Sequence, residues 1–104
     1  MNTSADNTPL AKSIAFNDDS FSVALKDGRT LSIPYTWYPR LIAATVSQRN
    51  RYELSGEGEG IHWPELDEDV SVAGLIAGRH DQTNFARRYW EEHPQHRPNI
   101  LTEV

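Results

Sequence analysis

The sequence contains no cysteine, which excludes a disulfide scaffold, a thiolate metal site and thiol redox chemistry. It has no long hydrophobic run. Nothing approaches the ~18 consecutive apolar residues of a membrane helix, and mean hydropathy is low at −0.64. The start, Met1-Asn2-Thr3-Ser4-Ala5-Asp6-Asn7, lacks the basic lead and apolar stretch of a secretory signal. A cytoplasmic protein with no membrane association is the expectation. Positive charge is scarce: 10 Lys and Arg stand against 15 Asp and Glu, a net charge of −5. That sign argues against direct nucleic-acid binding. The glycine-rich run Gly56-Glu57-Gly58-Glu59-Gly60 is followed by no Gly-Lys-Ser/Thr, and its glutamates would repel a phosphate. No Ser lies in a Gly-x-Ser-x-Gly elbow. No cofactor is expected.

What is present fits one small domain of 104 residues. A chain of this size buries only about two thirds of its unfolded surface, so stability is marginal. Residues 1–12 are polar and aperiodic, and read as a disordered lead. Apolar residues recur through 13–78, the expected core domain. Residues 79–104 read as a C-terminal helix and a loose tail.

The first half alternates with a period of two: Ile14 and Phe16, then Phe21, Val23 and Leu25, then Leu31 and Ile33. This predicts an antiparallel meander. A two-residue turn at Asp18-Asp19 sets Phe16 against Phe21 and Ile14 against Val23. A three-residue loop, Lys26-Asp27-Gly28, sets Val23 against Leu31 and Phe21 against Ile33. Its third position needs a left-handed residue, which Gly28 supplies at little steric cost. Pro39 is a favoured first helical residue, predicting a helix over about 39–49 with Leu41, Ile42, Thr45 and Val46 on its inner stripe and Arg40, Ser47 and Arg49 pointing away. Tyr52-Glu53-Leu54 and Ile61-His62-Trp63 read as short strands around a flexible acidic loop. The acids 67–69 read as a turn. Ser71 caps a short helix carrying Val72, Leu75 and Ile76, ended by Gly78. A last helix runs from an Asp81 cap to before Pro94, with Phe85, Ala86, Tyr89 and Trp90 on one face. The expected class is therefore α+β: a small antiparallel β meander packed with a helix, plus a C-terminal helix.

Charge is segregated. From Gly28 to Tyr52 there are four arginines (29, 40, 49 and 51) and no acid; from Glu53 to Asp69 there are seven acids and no Lys or Arg. Two solvated faces that neutralise each other would give this pattern. So would a negative surface that docks on a basic protein, formed by Glu53, Glu57, Glu59, Glu65, Asp67 and Glu68. Complementary fields select partners and speed encounter. An edge strand and the aromatic face of the last helix leave room for a homodimer.

Catalytic residue types cluster at His62, Asp67, Glu68 and Asp69. A histidine beside a carboxylate can act as base and orienter, so a small hydrolase using His62 with Asp67 or Glu68 is an alternative. Metal binding has no support in spacing, since no second His lies one turn away.

Two runs of residues carry a resemblance. Asp27-Gly28-Arg29, Pro34, Trp37, Tyr38-Pro39-Arg40-Leu41, Ala44-Thr45 and Gln48-Arg49 form the first. Gly60-Ile61-His62-Trp63-Pro64, Leu66-Asp67-Glu68-Asp69-Val70-Ser71-Val72 and Gly74-Leu75 form the second. In order and spacing they resemble the bacterial and phage domain-of-unknown-function family 2442 over about residues 13–78. The resemblance implies a compact α+β domain of antiparallel strands with a helix. It also implies members standing alone or ahead of a helix-turn-helix domain, often beside a second small gene in a toxin–antitoxin-like arrangement. It carries over no catalytic residue.

Beside that resemblance, Gly28, Trp37, Pro39, Arg40, His62, Trp63 and Asp69 take structural roles, with Trp37 and Trp63 anchoring the core and Arg40 pairing with Asp67, Glu68 or Asp69. The expected function is a non-enzymatic, acidic, antitoxin-like interaction module. Alternatives are a phage-type inhibitor that occupies a nucleic-acid enzyme by acidic mimicry, an accessory domain of a transcriptional regulator, and the small hydrolase.

Overall fold

The structure, a computed structural model, describes residues 9–98. Strands β1 (Ala11–Phe16), β2 (Ser20–Leu25) and β3 (Thr30–Pro34) form one antiparallel sheet in that order. The register is the one that apolar pairing demands: Phe16 faces Phe21, Ile14 faces Val23, Val23 faces Leu31 and Phe21 faces Ile33. Gly28 sits at φ 98° in the second turn, closed by bonds from Leu25 N to Arg29 O (2.8 Å) and Gly28 N to Leu25 O (3.1 Å). β1 begins at Ala11, so residues 11 and 12 belong to a strand rather than to the lead; positions 1–8 and 99–104 lie outside the described residues.

The 39–49 helix is two helices, α1 (Pro39–Ala43) and α2 (Val46–Asn50). Ala44 is extended at φ −76°, ψ 151°. Thr45 starts a new helix through a capping box: its hydroxyl accepts from Gln48 N (3.0 Å) and the Gln48 side chain accepts from Thr45 N (2.9 Å). Side-chain capping at Thr45 outcompetes continuation of α1, and Val46, expected on the inner stripe, is 68% exposed. Arg49 does not point away. It donates to the carbonyls of Leu41 (2.8 Å) and Ile42 (3.3 Å) and lies 4.3 Å over the Tyr35 ring.

The second half holds an unexpected strand. β4 (Glu53–Ser55), β5 (Gly60–Trp63) and β6 (Glu68–Ser71) form a second antiparallel sheet. The acids read as a turn are thus partly in β6. α3 (Val72–Ile76) follows, capped by the Ser71 hydroxyl accepting from Gly74 N at 3.0 Å. α4 (Asn84–Glu92) is capped by Thr83, not Asp81. Asp81 instead accepts from Thr83 N (2.8 Å), shaping the turn before the cap. Pro94–His96 add a 3-10 turn.

One core joins the two sheets. Trp63 is fully buried, edge-on to Phe21 (ring centroids 6.0 Å apart) and Phe16 (6.4 Å), and its Nε1 donates to Arg49 O at 2.9 Å. Val23, Leu25, Leu41, Ile61, Val70, Val72 and Leu75 complete the core, and Trp37 packs against it partly buried. α4 rests on the α1 side, where Trp90 Nε1 donates to Thr36 O at 2.8 Å.

Candidate functional site

Alternation along β4, β5 and β6 sorts the acidic half onto two faces. Glu53 pairs with His62 and His62 with Asp69, so these three stand in a row on the outer face. His62 Nδ1 and Asp69 Oδ1 are 2.7 Å apart. Trp63 pairs with Glu68 on the inner face. Ser55, Gly60 and Ser71 are small, and with Glu59, Ile61, Asp69 and Val70 they line a shallow outer groove of about 450 Å³. A Cβ at Gly60 would meet Ser55 Oγ at 2.7 Å, so side-chain bulk there would force the serine aside.

The Gly56–Gly58 segment is not a flexible loop. It is a 3-10 turn held on β1. A Cβ on Gly58 (φ 111°) would lie 2.4 Å from the Ala11 carbonyl oxygen. Lys26 Nζ donates to Glu57 O at 3.0 Å. Glu57 itself sits at φ 59°. Backbone contact thus fixes where Glu57 and Glu59 project.

The six carboxylates expected to bind a partner fall into different surroundings. Glu53, Glu57, Glu59 and Asp67 are exposed and make no ion pair among the described residues. Glu65 is paired with Arg51, which also donates to Ser47 Oγ at 2.5 Å. Glu68 is only 6% exposed and faces inward, because a strand places it on the core side with Val70. Asp69, expected as structural, is exposed at the outer face. The predicted ion pair of Arg40 with Asp67, Glu68 or Asp69 does not form. Its guanidinium lies 4.8 Å over the Phe85 ring and reaches the Asp67 carbonyl at 3.5 Å. Arg29 pairs with Asp27 of its own turn, and that pairing holds the Asp27 carboxyl below its ordinary value. His62 and Glu68 lie on opposite faces, so the hydrolase arrangement through that pair is not assembled.

A second feature escaped the sequence reading. A cleft of about 280 Å³ opens beside β6 and the 79–83 segment, lined by Tyr38, Glu68, Val70, Gly74, His80 and Asp81 among others. Asp81 is 5% exposed. Glu68 Oε1 and Asp81 Oδ2 are buried without a hydrogen-bond partner among the described residues. Burial, and next the charge of Asp81, push the Glu68 carboxyl up to about 7, against a smaller opposing pull from Arg40. Burial likewise pushes the Tyr38 phenol upward. Glu68, Val70 and Val72 alternate at period two in the sequence, a signal that would have placed Glu68 inward once the strand was recognised. Nothing in the sequence marks Asp81 as its neighbour.

A family model described as a protein of unknown function (DUF2442) matches residues 11–81. The chain is similar to a protein of unknown function from Rhodospirillum rubrum, known from its crystal structure, at 30% identity; the match covers 77% of this chain and 99% of that one, with a TM-score of 0.66. It is also similar to an uncharacterized protein from Chromobacterium violaceum, solved by solution NMR, at 26% identity, covering 82% and 76% of the two chains with a TM-score of 0.62. No curated protein matches.

Proposed function

The chain belongs to the DUF2442 family of proteins of unknown function, and from the surface its fold displays we propose that it is a non-enzymatic docking module for a basic protein, antitoxin-like in mode. The observation that carries this reading is the row of carboxylates on and around the outer face of the second sheet. The Glu53, Glu57, Glu59 and Asp67 carboxylates are exposed and make no ion pair among the described residues. A fixed array of like charges raises encounter rates with a cationic partner and selects against anionic ones. Pinning of the 56–58 turn on β1 lowers the ordering cost of binding there.

The test is co-purification at native expression level with mass identification, repeated with Glu53, Glu57 and Glu59 all replaced by Lys. The expected result is retention of one basic protein, weakening as salt rises, and its loss in the triple variant while circular dichroism is unchanged. Unchanged retention in the triple variant refutes the proposal.

A further inference from the structure

We propose that the cleft beside β6 receives one arginine side chain, with its guanidinium held between Glu68 and Asp81. The inference rests on the docking reading and names the group that anchors the basic partner.

Arg79, His80 and Gln82 also line the cleft, His80 Nδ1 lying 2.9 Å from Asp81 O, and several of its other polar groups are already engaged. Tyr38 Oη already donates to Arg79 O (2.7 Å), Ser71 Oγ accepts from Gly74 N (3.0 Å), Thr83 Oγ1 accepts from Ala86 N (3.2 Å) and Asp81 Oδ1 accepts from Thr83 N (2.8 Å). Among the described residues, one oxygen on each of two carboxylates, both more than nine-tenths buried, has no hydrogen-bond partner. A buried acceptor without a donor costs about 1–3 kcal/mol, more when charged. The complement is a donor that carries positive charge.

Geometry separates the cations. A hard divalent ion requires about six oxygen ligands, and no group of three or more His, Asp or Glu is placed to hold a metal among the described residues. A guanidinium is planar, offers five N–H donors in a fixed fork and is weakly hydrated, which suits two acceptors from different elements. The chain's own Arg40 is committed to the Phe85 ring and the Asp67 carbonyl. Arg79 stands exposed at the cleft and makes no ion pair among the described residues. β6 is an edge strand, and its Asp69, Val70 and Ser71 line both this cleft and the outer groove. A partner lying on the outer face can therefore turn one side chain around that edge. A cation seated there would also offset the burial and repulsion that Glu68 bears.

The experiment is titration of the full chain with N-acetyl-L-arginine amide, followed by backbone amide NMR shifts. Saturable shifts are expected around Tyr38, Val70, Asp81 and Thr83, weakened about tenfold by E68Q and by D81N, and unaffected by E57K/E59K. Absence of saturable shifts at these positions, or unchanged binding by E68Q, overturns the proposal. Equal binding of N-acetyl-L-lysine amide overturns the assignment to a guanidinium, and so do the same shifts produced by Mg²⁺ alone. The docking reading is judged separately by partner retention in the Glu53, Glu57 and Glu59 triple variant. Retention lost there, with no arginine amide bound, refutes this inference and leaves that reading intact.

Discussion

Replacing Glu68 by Gln is expected to stabilise the domain above neutral pH and leave it unchanged in acid. The sign follows from where the proton sits. Folding raises the Glu68 carboxyl from 4.5 to about 7, so between those values the native state holds a proton that the unfolded chain has released. Stability therefore falls as pH rises through this window. It is unaffected by Glu68 below about 4.5 and carries the full penalty above about 7. A change of about 2.5 pH units corresponds to about 3 kcal/mol, a large part of the stability of so small a domain. Gln has the same shape and no charge to bury. Urea unfolding followed by tryptophan fluorescence, with Trp63 in the core as reporter, should give matching midpoints for wild type and E68Q at pH 4. At pH 8 the variant's midpoint should lie higher by roughly 1–2 M. D81N should close part of the same gap, because the Asp81 charge is the second contributor to the raised value. Midpoints of wild type and E68Q that stay parallel from pH 4 to 8 would refute the reasoning.

Gly58→Ala should cost about 3 kcal/mol or more, since it combines a positive φ with a collision against the Ala11 backbone; a loss below ~1 kcal/mol in thermal denaturation would show that the 56–58 turn is not held on β1. Thr45→Ala removes the capping box of α2 and should cost about 1 kcal/mol, with early amide exchange at Val46–Asn50 as the local signature. Arg51→Ala breaks the ion pair with Glu65, but both side chains are substantially exposed, so the loss should stay under about 1 kcal/mol. A larger loss by denaturant unfolding would mean that the pair is shielded from solvent.

The meander was legible because period-two patterning and turn chemistry agree there. Only one register sets Phe21 and Val23 against apolar partners on both sides, and Gly28 supplies the positive φ that the corresponding loop needs. The break at Ala44-Thr45 was hidden because the apolar spacing of Leu41, Ile42, Thr45 and Val46 also fits one continuous helix. The Thr45–Gln48 box, written plainly in the sequence, is what decides against it. β6 was missed because three acids in a row imitate a turn, and inward pointing of Glu68 contradicts the expectation that carboxylates stay wet. The charge asymmetry was visible, but its division into Glu65 paired, Glu68 buried and the rest exposed depends on strand faces. The proximity of Glu68 and Asp81 depends on how the chain after α3 folds back, where Asp81 N bonds Trp37 O at 3.0 Å. No local pattern encodes that return.

The seating of Gly58 on the Ala11 backbone separates two kinds of constraint within five residues. Glycine at 58 is demanded by main-chain proximity, yet the neighbouring positions 57 and 59 send their side chains outward and owe the scaffold little. Such a platform can be reprogrammed: charge sign and polarity at 57 and 59 are open to change while the turn beneath them keeps its shape, within the residue types that the positive φ at 57 admits. Divergence of binding preference between relatives would then need only a few surface substitutions, with the interior left as it was.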